Sequence, residues 1–160
     1  MSDRIEQMMR QVKLGGMAKG WRSVDYENAE QYVTDLLKLE LQEREANRMN
    51  RMVKIAGFRV LKTLDDFVWN AAIELPSGLT REYMTELHFL APRENLIFLG
   101  TVGTGKTHLA TAIALKACQE GRRARFFTAA ELANTLLEKS TKGTLNSFLG
   151  TLKTTELIVI

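Results

Sequence analysis

Apolar residues recur at helical spacing through the first third of the chain. Between residues 3 and 59 they repeat every three or four positions, in a short pattern that the glycine pair at 15–16 ends and a longer one that begins near Asn28. The other side of the longer pattern is strongly charged, as on a solvent-exposed helix face. Because there is almost no strand signal here, the pattern predicts an all-helical N-terminal domain at residues 1–62.

Residues 63–91 are predicted to form a connector, because their signals are mixed. The residues at 61–67 favour the start of a short helix, and those at 75–78 have the composition of a turn. Thr80 is a candidate N-cap for a short amphipathic helix that ends before Pro92.

The hydrophobic pattern changes after Pro92. The continuous apolar run at 95–99 is typical of a strand buried on both faces, and the runs at 124–127 and 157–160 also predict strands. The segments between these strands have helical spacing, and the predicted helices end at Gly121, near Lys139 and at Leu152. A capping box at Thr128–Glu131 is predicted to start the second of them. Strands that alternate with helices predict an α/β fold with a parallel, helix-flanked sheet at residues 92–160.

Composition narrows the class of protein. The 160 residues suffice for one domain or one domain with a small appendage, and shares of 45% apolar and 26% charged residues exclude wholesale disorder. A single cysteine fits a reducing compartment, so a cytoplasmic location is expected. No run of about 18 apolar residues is present, so no membrane contact is predicted. The net charge of +3 is compatible with nucleic acid as a partner without showing it.

A phosphate-binding motif lies where the first strand predicted after Pro92 meets the helix that follows it. Residues 100–107 match G-x-x-x-x-G-K-S/T in full. A polyphosphate needs several backbone N–H groups turned inward, glycine tolerates the backbone angles that this requires, and the helix adds its positive dipole end. We expect the catalytic Lys106 to contact the phosphates of ATP and the Thr107 hydroxyl to bind Mg²⁺. The predicted cofactor-binding residues are Gly100, Thr101, Val102, Gly103, Thr104, Gly105, Lys106, Thr107 and His108.

Two related motifs do not fit these residues. A dinucleotide-binding fingerprint needs a third glycine at the position of His108, and the glycine-rich loop of protein kinases joins two strands, whereas a helix is predicted here. His108 itself has two interpretations, a packing or capping contact, which we favour, and a contact with the ligand.

Basic residues cluster at near-helical steps toward the end of the helical domain. The usual interpretation of such a cluster is a solvated helix face. The alternative is a surface for DNA phosphates, which would bind duplex without sequence preference through counterion release. The candidate DNA-binding residues are Arg44, Arg48, Arg51, Lys54, Arg59 and Lys62.

An ATPase of this class also needs an acidic residue at the end of a second apolar strand to hold Mg²⁺. The run at 157–160 has the composition of that strand, and no acid follows it. Glu156 would lie at the opposite end, about 13 Å away at a strand rise of about 3.3 Å per residue. We therefore expect a chain truncated before this acid, hydrolytically inactive and marginally stable, with an incomplete sheet.

Four segments of the chain together resemble IstB-like proteins, the ATP-dependent helpers of insertion-sequence transposases. These segments are residues 36–67, 100–118, 122–139 and 156–160. The resemblance covers nearly the whole chain, and Thr101 departs from the proline usual in the family. It implies a P-loop NTPase fold of the AAA+ type, incomplete here, with a missing strand expected between residues 96–99 and 157–160. It further implies non-specific binding to duplex DNA, ATP-dependent self-oligomerisation and a transposase as partner.

Other functions stay open on the sequence alone. A helicase loader would share the ATPase core and differ in its protein partner. In a nucleotide kinase the acid-bearing strand would adjoin the strand before the motif, and a lid that binds the acceptor would be needed. No basic lid is evident, and such an enzyme would not need the long N-terminal helices. A non-enzymatic DNA-binding module would use residues 28–62.

Overall fold

The computed structural model describes residues 2–70 and 73–160. Met1, in the predicted N-terminal domain, and residues 71–72, in the predicted connector, lie outside the described residues. The α-helices are α1 (Ser2–Gln11), α2 (Gly15–Gly20), α3 (Ala29–Ala56), α4 (Arg81–Thr85), α5 (Lys106–Gln119), α6 (Ala129–Thr141) and α7 (Leu145–Lys153), and the strands are β1 (Ala124–Phe126) and β2 (Leu157–Val159). Short 3₁₀ turns lie at Trp21–Ser23 and His88–Leu90.

The chain divides into two compact units, Met1–Asn50 and Arg51–Ile160. The boundaries at residues 62 and 91 that the sequence favours stay predictions of functional domains. Within the described residues of both units, no helix is both long and apolar enough to cross a membrane.

In the first unit, a buried carboxylate holds α2 against α3. Glu40, only 5% exposed, accepts hydrogen bonds from the backbone N–H of Gly16 at 2.7 Å and of Met17 at 3.3 Å, and from Arg44 Nε at 2.7 Å. Burial raises the pKa of Glu40, but these hydrogen bonds outweigh it, so the pKa lies below its ordinary value. The charge of Glu40 therefore stabilises the start of α2.

The glycine pair at 15–16 serves a different purpose from the one expected. The left-handed residue that follows α1 is Lys13, with φ 62°, while the pair begins α2. A Cβ on Gly16 would lie 2.5 Å from the Leu39 carbonyl oxygen, so the absence of a side chain there permits close packing of α2 on α3.

In the second unit, α5 lies between two apolar clusters. One side of α5 packs with Met84, Leu87 and Phe89 through Leu109, Ile113 and Ala117. The other side packs with Ala56 and Ala124 through Ala114 and Cys118, where small side chains let the elements approach closely. This double burial fixes the axis of α5, and with it the position of the helix N-terminus.

The sheet in the described residues consists of β1 and β2, paired in parallel with Ala124 opposite Leu157 and Phe126 opposite Val159. These two strands confirm the sequence predictions at 124–127 and 157–160. Phe127 extends the pairing by donating its N–H to the Val159 carbonyl at 2.9 Å.

The predicted strand at 95–99 is wrong for the described residues. A strand requires a hydrogen-bonded neighbour, and neither β1 nor β2 pairs with this segment. Leu96 and Phe98 pack toward the core, whereas Ile97 and Leu99 are 80% and 88% exposed. The segment is therefore buried on one side and not, as its composition indicated, on both.

The helix starts that rest on capping chemistry are confirmed. Thr80 accepts a hydrogen bond from the Tyr83 N–H, and Thr128 with Glu131 forms the complete capping box of α6. The helix expected at 61–67 does not form, because a turn closed by the Phe67 N–H on the Leu64 carbonyl occupies these residues.

Candidate functional site

Three glycines shape the loop that leads into α5. Gly103 and Gly105 have φ angles of 85° and 84°, and Gly100 has a φ of 149°, all in the region that glycine favours. Gly105 is the N-cap of α5, and its carbonyl accepts the N–H of Leu109 at 2.9 Å. The loop therefore turns directly into the first turn of the helix.

The backbone N–H groups of the loop have no acceptor inside the described part of the chain. No hydrogen bond is donated there by the amides of residues 101–108, which include the first N–H groups of α5. Such amides at a helix N-terminus carry partial positive charge and attract an anion. The observed loop thus fits a polyphosphate through its backbone.

Lys106 lies back across this loop. Its Nζ donates to the Thr101 carbonyl at 2.6 Å and lies 3.4 Å from Thr104 Oγ1, which in turn donates to the same carbonyl at 2.9 Å. A phosphate oxygen is a stronger acceptor for an ammonium than a neutral carbonyl. Thr107 is exposed in the first turn of α5, where a hydroxyl is available to a metal.

An aromatic side chain from the connector covers Gly105. A Cβ built on Gly105 would lie 2.9 Å from Phe67 Cε2, so this position has no room for a side chain. The Phe67 ring also meets His108 edge to face, with centroids 5.3 Å apart. His108 Nε2 lies 3.0 Å from the Thr63 carbonyl oxygen. His108 is thus in a packing contact, and its direct contact with a ligand stays a prediction.

The geometry can be compared with known proteins. A family model described as IstB-like ATP binding protein matches residues 7–160. The chain belongs to this family. Membership confirms the resemblance seen in the sequence and implies a P-loop NTPase fold that binds nucleotide, and the small parallel sheet agrees with that fold.

Relatives of this IstB-like chain include proteins of insertion sequences. It is 31% identical over 99% of its length to the predicted ATP-binding protein of IS5376 from Geobacillus stearothermophilus, of which 66% is covered. It is 31% identical over 81% of its length to that of IS232 from Bacillus thuringiensis, of which 52% is covered. It is 32% identical over 76% of its length to the chromosomal replication initiator DnaA of Aquifex aeolicus, of which 30% is covered. The chain spans about half to two thirds of the insertion-sequence relatives.

Two candidate DNA-binding residues of the IstB-like chain lie in the first unit, and both are paired. Arg44 donates to Glu40 at 2.7 Å and to the Lys13 carbonyl at 3.2 Å. Arg48 lies 3.6 Å from Glu45. Arg44 in particular is already engaged in holding the start of α2.

The other four candidates lie in the second unit. Arg59 is paired with Glu131, and the hydrogen bonds from Arg59 and Thr128 lower the pKa of Glu131 to about 2. Arg51, Lys54 and Lys62 are exposed, and no ion pair involves them within the described residues. These three cations remain available to an anionic partner.

Glu156, which precedes β2, is held at the start of that strand. Its carboxylate accepts from Arg122 at 2.9 Å and from the Arg123 N–H at 3.2 Å. Burial raises the pKa of Glu156, but the two arginines and their hydrogen bonds lower it below its ordinary value. This carboxylate serves the local structure.

The segment before the motif has a role that no pattern in the sequence indicates. Phe67 lies against the loop and meets Trp69 edge to face at 4.9 Å, and the Arg81 guanidinium stacks over Trp69 at 4.8 Å. The pattern carries no signal that pairs Thr63 with His108, because 45 residues separate them.

Proposed function

We propose that this chain binds ATP with Mg²⁺ at residues 100–107 and acts as the ATP-binding helper of an insertion-sequence transposase. The observation that carries the proposal is the loop itself: its amides donate no hydrogen bond within the described residues, and Lys106 lies across it at the N-terminus of α5. Membership of the IstB-like family and the insertion-sequence relatives support it.

Each chemical group of the motif has a role in this proposal. The amides of residues 101–108 bind phosphate oxygens, and Lys106 exchanges the Thr101 carbonyl for a phosphate. Thr107 offers its hydroxyl to Mg²⁺. When bound, Mg²⁺ neutralises phosphate charge. His108 and Phe67 act behind the loop and support its conformation.

Calorimetric titration with Mg-ATP tests the site. The Lys106→Ala variant removes a charge-assisted hydrogen bond, so its affinity should fall at least about tenfold. Lys153→Ala removes an exposed lysine at the end of α7 and is the matched control, which should bind as the wild type does. Equal affinity of wild type and Lys106→Ala would refute the assignment.

Duplex DNA, a transposase and further copies of the chain are the partners that we propose, in a cytoplasmic setting. For DNA, the support is that Arg51, Lys54 and Lys62 are exposed and not paired among the described residues. Replacing all three with alanine should weaken binding to any duplex and reduce the slope of log affinity against log salt by up to about 3. A control with the same change in charge replaces Arg4, Lys38 and Lys153. An unchanged salt slope in the first variant would exclude these three contacts.

The protein partner is tested separately by co-purification. Binding to the transposase of an insertion sequence supports the helper role, whereas selective binding to a replicative helicase would favour the helicase-loader alternative. The likeness to a replication initiator covers 30% of that protein, which makes this comparison worth including.

A further inference from the structure

The segment Thr63–Trp69 is attached to the nucleotide-binding loop by three contacts. His108, in the first turn of α5, contacts the Thr63 carbonyl at 3.0 Å. The Phe67 ring lies against His108 and occupies the space that a Cβ on Gly105 would need. Trp69 meets the Phe67 ring edge to face, with centroids 4.9 Å apart. A continuous row of contacts therefore runs from the N-cap of α5 to Trp69.

The chemistry of the His108 contact is fixed by its partner. A backbone carbonyl only accepts hydrogen bonds, so His108 Nε2 must carry the proton and donate it to Thr63. This bond holds the turn at residues 63–67, and the turn places Phe67 over Gly105. Because Gly105 has a left-handed φ of 84°, the covering ring supports the backbone conformation in which the loop enters α5.

We propose that His108 is a positioning residue that docks the segment Thr63–Trp69 on the loop, so that nucleotide affinity and the position of Trp69 are coupled. The inference rests on the proposed ATP binding at this loop. If a docked segment favours the phosphate-binding conformation of the loop, bound phosphate must favour the docked segment by the same factor. A histidine that only stabilises the fold would show no such coupling.

Trp69 fluorescence provides the readout. The chain has two tryptophans, and Trp21→Phe leaves Trp69 as the only one. This parent change is mild, because the buried Trp21 Nε1–H has no hydrogen-bond partner among the residues that the structure describes. Mg-ATP should shift the Trp69 emission of the parent to shorter wavelength as the segment docks more tightly.

Two amide variants of His108 separate coupling from simple loss of the ring. The Nε2 of glutamine occupies the same place along the side chain as the Nε2 of histidine, so His108→Gln should retain the bond to Thr63. Asparagine is one carbon too short. We expect His108→Asn to bind Mg-ATP about three- to tenfold more weakly and to lose most of the Trp69 shift, and His108→Gln to restore both.

Magnesium tripolyphosphate, which has no base, distinguishes coupling through the loop from direct stacking of a base on Trp69. Coupling predicts the same Trp69 shift with tripolyphosphate as with ATP, whereas a shift that requires the base would overturn the inference. Equal affinity and equal Trp69 shifts in the asparagine and glutamine variants would also overturn it, even if both melt at lower temperature. Absence of Mg-ATP binding by the Trp21→Phe parent would instead refute the proposed function and the inference together.

Discussion

Replacing Gly105 with alanine places a methyl group between the nucleotide-binding loop and Phe67. The added Cβ would lie 2.9 Å from Phe67 Cε2 and 3.6 Å from Cζ. Ordinary carbon contacts lie at about 3.5–4.0 Å, so the ring or the loop has to move. Gly103 provides a matched control, because its φ of 85° is nearly the same and a Cβ there would meet nothing within 4 Å.

The two substitutions share one cost and differ in another. An alanine in the left-handed region costs about 1–2 kcal/mol at either position. Overpacking against a ring in a packed region adds about 1–3 kcal/mol, and only at Gly105. We therefore expect Gly103→Ala to lower the free energy of unfolding by about 1–2 kcal/mol, and Gly105→Ala by about 2–5 kcal/mol.

Urea unfolding followed by circular dichroism measures these differences. Adding Phe67→Leu to Gly105→Ala should recover part of the loss, because the smaller side chain vacates the space that the methyl group needs. Equal destabilisation by Gly103→Ala and Gly105→Ala, or strict additivity of Phe67→Leu with Gly105→Ala, would refute the packing of Phe67 on the loop.

Three further predictions concern titratable groups. Glu40→Gln should lower the free energy of unfolding, measured in urea, by about 1–3 kcal/mol. The stability that the Glu40 charge contributes is complete above the pKa of Glu40 in the unfolded chain and should be lost as the pH falls through its lowered pKa in the folded chain. A wild type whose stability does not change with acid would contradict this. The pKa of Glu131, followed by carboxyl NMR, should be about 2 and should rise in Arg59→Ala; an unchanged midpoint would show that Arg59 does not pair with it. Cys118, whose thiol pKa is raised by burial, should react with thiol reagents only after unfolding; prompt reaction of the native chain would place it at the surface.

Local chemistry made much of the fold predictable from the sequence. The Thr128–Glu131 capping box and the N-cap at Thr80 involve residues three apart, so their outcome depends little on the rest of the chain. The glycine and lysine spacing of residues 100–107 likewise carries its own geometry, and the structure gives Gly103 and Gly105 the positive φ angles that this motif needs.

What could not be predicted depends on partners distant in the sequence. The run at 95–99 has the composition of a strand, yet strand formation requires a neighbour, and none pairs with it among the described residues. The contact of His108 with Thr63 and the cover of Gly105 by Phe67 join segments about forty residues apart. The spacing of hydrophobic residues indicates which face of a helix or strand is buried, but it does not indicate which other element packs against that face.

In the proposed function, backbone amides of residues 101–108 bind the phosphates of ATP. Amide NMR of the nitrogen-labelled chain during a Mg-ATP titration tests this binding. Phosphate binding by the loop predicts saturable shifts that are largest for these amides and are lost in Lys106→Ala. Saturable binding that shifts other amides and leaves those of residues 101–108 in place would contradict it.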